Sequence, residues 1–228
     1  MAISEATREV EAPVAALPRI GEPAPDFEAA STRGTIRLSD YRGKWVMLFS
    51  HPADFTPVCT TEISAFAARH HEFERRNVQL IGLSVDGVPA HLSWTRDMEE
   101  AFGHPIPFPI IADLDMKVSR LYGMIHPGES TTATVRAVFF IDDQGIIRAL
   151  LYYPMSLGRS VDELLRVFDG LQTSAKYGVS TPVDWQPGKE VVVPAPATAD
   201  KIQSKEEAER EGLIYKRWYL RLKKLPES

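Results

Sequence analysis

Cysteine is almost absent: the chain of 228 residues has one, Cys59. An intrachain disulfide is excluded, and so is a dithiol reductase built on Cys-x-x-Cys. Long apolar runs are missing too. The longest obvious one, residues 45–49, has five residues, far short of the roughly 18 that a membrane span needs. Basic charge does not dominate: 26 Lys and Arg against 31 Asp and Glu give a net charge of −5, which offers no broad attraction for nucleic acid. Residues 1–14 carry acidic side chains and lack the basic start and apolar stretch of a secretory signal. The expectation is a cytoplasmic protein with no membrane or nucleic-acid partner. No metal is expected, because His51, His70, His71 and His126 show no ligand spacing.

Hydrophobic residues make up 44% and charged residues 25%, the balance of an ordinary globular protein. The length suits one large domain with a smaller appendage. Residues 1–20 read as an extended leader. Residues 45–50 form an apolar run between Arg42-Gly43 and His51-Pro52, which predicts a buried strand. Residues 56–76 predict one helix, with Cys59, Ile63, Phe66, Ala67, His70 and Phe73 on one face. Thr56 or Asp54 is the expected cap and Pro57 opens the first turn.

Further strands are expected at 35–38, 78–85 and 108–112, and helices at 89–102 and 115–122, the last with an Asp cap. Residues 136–141 and 146–153 flank Asp142-Asp143-Gln144-Gly145 as a hairpin. Ser160-Val161-Asp162-Glu163 reads as a capping box, opening a helix that stops near Gly178. This order predicts an α/β fold with a central mixed sheet flanked by helices. After Gly178 four prolines break up residues 181–198, and a charged and then aromatic segment follows. The division is residues 1–180 as the main domain and 181–228 as a small C-terminal module, too small to stand alone.

The chemistry concentrates in His51-Pro52-Ala53-Asp54-Phe55-Thr56-Pro57-Val58-Cys59-Thr60-Thr61-Glu62. A thiol in the first turn of a helix faces unpaired N–H groups and the positive end of the helix dipole, which favours the thiolate. A thiolate gained this way is also a weaker nucleophile, so the net gain in rate is only about a few-fold. A fast cysteine therefore needs donors that position its electrophile. Thr56 supplies a hydroxyl. Arg136, at the start of a buried strand, is the first choice of cation, and Arg159 is the second. Glu62 is a partner for Arg159. Pro52 and Phe55 are expected to crowd the pocket and keep water out.

The spacing of Pro52, Thr56 and Cys59 resembles the peroxidatic motif of peroxiredoxins, and the longer run resembles their one-cysteine subfamily. The resemblance covers roughly residues 17–225. It implies a thioredoxin-like fold and reduction of hydrogen peroxide or organic hydroperoxides to water or alcohols. Position by position, it implies that Cys59 is the nucleophile and that Thr56 orients the peroxide. It makes Pro52 the shield of the thiolate and Arg136 the group that polarises the peroxide. His51 and Arg159 then line the substrate site. It also implies homodimers through the C-terminal module, joined in some members into decamers. Many relatives carry a resolving cysteine; here none exists, so an external thiol of the thioredoxin, glutathione or small-molecule type is implied as reductant. No cofactor is implied. The competing reading is an oligomeric holdase or scaffold on the same fold, which would keep its activity without Cys59.

Overall fold

The structure, a computed structural model, describes residues 17–226. Most of the expected leader lies outside these residues. A sheet of seven strands organises the chain: β1 (Glu28–Ser31), β2 (Gly34–Arg37), β3 (Trp45–Ser50), β4 (Val78–Ser84), β5 (Ile110–Ala112), β6 (Arg136–Ile141) and β7 (Ile147–Tyr153). Their spatial order is β2-β1-β5-β4-β3-β6-β7. The inner strands β3, β4 and β5 are parallel, and β6 runs antiparallel to β3. This is the expected mixed sheet. The β1 strand was not expected from the sequence; it pairs with β2 and reaches β5 at one residue.

Strand alternation decides what lies on each face. Trp45, Met47 and Phe49 of β3 enter one core together with Val138 and Phe140 of β6. Val46 and Leu48, with Ala137, Phe139 and Ile141, enter the other. Arg136 shares the parity of Val138 and Phe140, so it belongs to the first face. That face is covered by α1 (Pro57–Ala68), α2 (His70–Glu74), α3 (Val88–Phe102) and α5 (Val161–Tyr177), and Cys59, Phe66, Phe73, Trp94 and Phe168 pack there. The pairing of Phe49 with Val138 brings the start of β6 level with the end of β3. The peptide leaving β3 toward α1 therefore passes beside Arg136.

The single helix expected over 56–76 is two. It breaks at Arg69, whose guanidinium bonds to Glu72 on α2 and to Asp162 at the start of α5. These pairs pin the corner to the neighbouring helix. Thr56 is the N-cap residue of α1, but neither Thr56 nor Asp54 caps it with a side chain. The Thr56 hydroxyl donates back to the Ala53 carbonyl at 2.8 Å, and the Asp54 carboxylate is taken by two histidines. At α4 (Lys117–Leu121) Asp115 accepts only from the Lys117 N–H. The main cap is Asp113, which accepts from Val118 and Ser119 at 2.9 and 2.7 Å. The box at Ser160 is half built: its hydroxyl accepts from the Glu163 N–H, while the Glu163 carboxylate turns to Arg166. A complete box opens α6 (Lys205–Arg210), between Ser204 and Glu207.

The C-terminal part adds a second sheet of three strands, in the order β8-β10-β9. These are β8 (Val191–Val193), β9 (Ile214–Arg217) and β10 (Leu220–Lys223). Val179, Trp185 and Val191 form its small core, with Tyr177 and Leu225 against it. Ser180 bridges Val192, so this sheet is tied to the end of α5.

Asp113 is buried, so its loss leaves two helix N–H groups without a partner. Asp113→Ala is expected to cost about 2 kcal/mol, read as a lower denaturation midpoint in urea. A change below about 0.5 kcal/mol, the size of an ordinary surface substitution, would remove Asp113 from this role.

Candidate active site

Three segments meet at Cys59: the β3–α1 connection, the first residue of β6, and the turn ahead of α5. Cys59 lies in the first turn of α1 and is fully buried. Arg136, 2% exposed, points Nη1 at the Cys59 sulfur at 3.4 Å. The same nitrogen reaches Glu62 Oε2 at 2.6 Å. Nε and Nη2 of Arg136 both donate to the Met155 carbonyl, at 3.0 and 2.7 Å. These contacts use four of the five N–H groups of a guanidinium and leave one on Nη2.

Glu62 is the hub. Its carboxylate also receives Arg159 in fork geometry, Nε to Oε1 and Nη2 to Oε2, both at 2.8 Å. The Arg159 backbone N–H adds a third bond to Oε1 at 2.8 Å. Arg159 Nη1 donates to the carbonyls of Ser50 and Ala137. Its guanidinium carbon lies 5.3 Å from the Phe49 ring and 5.6 Å from the Phe66 ring. All of these Arg159 contacts go to Glu62, backbone or rings, so the structure brings Arg159 to Glu62 and Arg136 to the sulfur. Burial works against the Glu62 charge, yet hydrogen bonds and charge from Arg159, then the charge of Arg136, hold its pKa below the ordinary value of 4.5.

Thr56 is half-buried. Its hydroxyl proton goes to Ala53, so toward any further partner its oxygen can only accept. The N–H groups of Val58 and Cys59 belong to a first turn that no side chain caps. Pro52 is buried beside this turn in sequence. Phe55 does not shut out water: it is 57% exposed, in a left-handed conformation with φ 55°. That backbone turns the ring away from the core and toward the rim, 6.4 Å from Trp94.

His51 is buried, and its Nε2 meets Asp54 Oδ1 at 2.9 Å. Asp54 also meets His91 Nδ1 at 2.7 Å. His91 was not expected in the site: its one signal in the sequence is a place on a helix beside a strand end, which spacing alone does not flag. Donor atoms of His51, Asp54 and Asp86 lie within 4.8 Å of one another. His51 and Asp54 are bonded to each other, and Asp86 accepts from the Asp54 N–H and the Ser84 hydroxyl. The three residues form one hydrogen-bonded cluster. A cleft of about 1110 Å³ lined by Leu17, Lys117, Leu121, Ile125 and His126 lies elsewhere and includes none of the cysteine's partners.

A lone thiol under a guanidinium, in the first turn of the helix that follows the central strand β3, is the arrangement of a cysteine-dependent enzyme. Comparison with known proteins narrows this. The AhpC/TSA family matches residues 20–150, and the C-terminal domain of 1-Cys peroxiredoxin matches residues 170–207. Peroxiredoxin 2 of Caldanaerobacter subterraneus is 54% identical over 213 residues, covering 93% of this chain and 96% of that protein. The peroxiredoxin of Aquifex aeolicus is 51% identical over 223 residues, covering 93% and 99%. A yeast mitochondrial 1-Cys peroxiredoxin, studied for thiol resolving via glutathione/thioredoxin systems, superposes with TM-score 0.79 at 41% identity, covering 91% and 99%. Peroxiredoxin 6 of Arenicola marina superposes with TM-score 0.81 at 38% identity, covering 92% and 99%. The chain belongs to the peroxiredoxin family. With one cysteine it is a one-cysteine thiol peroxidase.

Glu62→Gln leaves two buried guanidinium groups sharing a neutral amide. We expect a loss of about 3 to 5 kcal/mol, read by chemical denaturation. In the parent chain the Glu62 pKa is depressed on folding, so its stabilisation is full above pH 4.5 and fades as pH falls through the lower folded value. The gap between parent and variant should therefore narrow on acidification. A gap that widened would contradict this charge assignment.

Proposed function

We propose a division of labour inside the site, resting on one observation: Arg136 Nη1 stands 3.4 Å from the Cys59 sulfur. Cys59 is the nucleophile. Its thiolate attacks one oxygen of hydrogen peroxide or an organic hydroperoxide in line with the O–O bond. The S–O bond forms as the O–O bond breaks. The departing oxygen takes a proton and leaves as water or alcohol, while the sulfur is oxidised to a sulfenic acid. No cofactor is needed, because the thiolate supplies the electron pair and the O–O bond is weak.

Thr56 and Arg136 hold the peroxide from opposite sides of the proton inventory. Thr56 accepts from the peroxide O–H, and the remaining N–H of Arg136 donates to the oxygen that gains charge. Pro52 shields the thiolate. His51 flanks the substrate site, and Arg159 positions Glu62, which in turn fixes Arg136. The sulfenic acid has no second cysteine to meet in its own chain. An external thiol of the thioredoxin, glutathione or small-molecule type reduces it, a reading supported by the glutathione/thioredoxin systems named for the yeast relative. A working thiol suits a reducing compartment, hence the cytoplasm. No described helix is long and apolar enough to cross a membrane.

Residues 1–180 are the peroxidase domain and 181–228 the dimerisation module. Support comes from the second sheet and from Trp218, Tyr219 and Leu220, large apolar side chains left exposed on it. Dimers of this kind can close further into decamers.

Cys59→Ser is expected to abolish peroxide consumption. Arg136→Ala should lower the oxidation rate constant by about a hundredfold or more while Glu62 keeps Arg159 and the fold. Stopped-flow oxidation measures both; a near-normal rate for Arg136→Ala would remove Arg136 from the chemistry. Deleting residues 181–228 should convert the dimer to monomers in light scattering. A truncated chain that stays dimeric would refute the module's role.

A further inference from the structure

His51, Asp54 and His91 form a buried polar chain to which the division of labour above gives only its first member a part. His91 Nε2 lies 3.1 Å from the Ile111 carbonyl oxygen. A carbonyl only accepts, so this nitrogen carries a proton. Its Nδ1 lies 2.7 Å from Asp54 Oδ2. A bare lone pair there would face a carboxylate. Burial alone would raise the Asp54 pKa, but hydrogen bonds from His51 and His91 and their charge pull it below the usual range. With Asp54 ionised, Nδ1 of His91 must carry a second proton. The carboxylate and the imidazolium then cancel.

His51 completes the count. It donates Nε2–H to the other Asp54 oxygen. Its Nδ1 has no partner and no exposure. A proton there would be a buried, unpaired cationic N–H, which is costly. Burial pushes the His51 pKa down; Asp54 pulls the other way, and the charges of His91 and Arg159 add to the downward push. His51 is thus neutral, with a bare lone pair on Nδ1. The groups around it are Asp54 from its own loop, Asp86 from the β4–α3 connection with a carboxylate oxygen within 4.8 Å of a His51 ring nitrogen, His91 and Trp94 from α3, and Arg159 from the turn before α5. Trp94 packs on the His51 ring at 5.2 Å, and its indole N–H reaches the hydroxyl of Thr60, the residue after Cys59. The carbonyl of Ser50, the residue before His51, is held by Arg159.

We propose, building on the peroxidase reading, that His91 is a positioning residue: as the cation paired with Asp54 it fixes His51 in the Nε2–H form, so that Nδ1 accepts a hydrogen bond from the second O–H of bound hydrogen peroxide, the first being held by Thr56. His91→Gln keeps a donor for Asp54 but removes the charge. Asp54 then draws a second proton onto His51, and the acceptor is lost in acid but not in base.

The test joins imidazole ¹⁵N spectra of the full chain to stopped-flow oxidation by hydrogen peroxide. At about pH 7 the parent should show two protonated nitrogens on His91 and one, Nε2, on His51. His91→Gln should lower the oxidation rate about tenfold near pH 6 and by less than about twofold near pH 8. A packing defect would lower it equally at both. Equal losses, no loss, or a singly protonated His91 in the parent would overturn the proposal. A parent chain that leaves peroxide untouched would overturn the peroxidase reading and this proposal with it. A reactive parent with any of the failing signs overturns the proposal alone.

Discussion

One carboxylate, Glu62, lies between two buried guanidinium groups, and the site is built around that contact. It faces Arg136 at 2.6 Å and Arg159 at 2.8 Å. Two buried cations without it would be untenable, and one buried anion with neither would be equally so. A buried triad of this kind is weak evidence of added stability, since apolar side chains of the same volume would often do as well. Its value here is geometric. Arg159 fixes Glu62 from two directions and is itself locked by the Ser50 and Ala137 carbonyls. Glu62 fixes Arg136, and Arg136 then faces the sulfur with one N–H to spare. The charge beside Cys59 is therefore set before any substrate arrives, which is where preorganised electrostatics acts.

The sheet makes this contact possible through parity and direction. Because β6 runs antiparallel to β3, the first residue of β6 stands level with the residue just past the end of β3. Because side chains alternate, Arg136 joins Val138 and Phe140 on the face covered by α1 and α5. A shift of one residue in the β6 register would send the guanidinium to the opposite core. Glu62 reaches the same point from α1, one helical turn after Cys59, so a single helix end delivers both the sulfur and the anion that organises its cation.

Much of this was legible in the amino-acid order. The apolar run of β3, the apolar run that follows Arg136 in β6, and a cysteine three residues after Thr56 made the sheet, the helix and the sulfur's place readable. Arg136 could be chosen because a cation at the start of a buried strand has few reasons to be there. What escaped depends on contacts distant in sequence. The break falls at Arg69, which bonds to Asp162, 93 residues away. The cap of α4 is Asp113 rather than Asp115, because the chain enters that helix through a left-handed Met116. Phe55 reads as a pocket wall by composition, yet its backbone conformation swings it outward. His91 looks like an ordinary helix residue until Asp54 and Ile111 are seen on its two nitrogens.

The central claim is that Cys59, under Arg136, is the atom that takes oxygen from a peroxide. Single-turnover oxidation by one equivalent of hydrogen peroxide, with mass spectrometry of the trapped product, tests it most directly. The account predicts one added oxygen on Cys59 within seconds at micromolar peroxide, reversed by a small thiol. Oxygen found only on methionines, or a Cys59 that stays reduced while peroxide disappears, would contradict it.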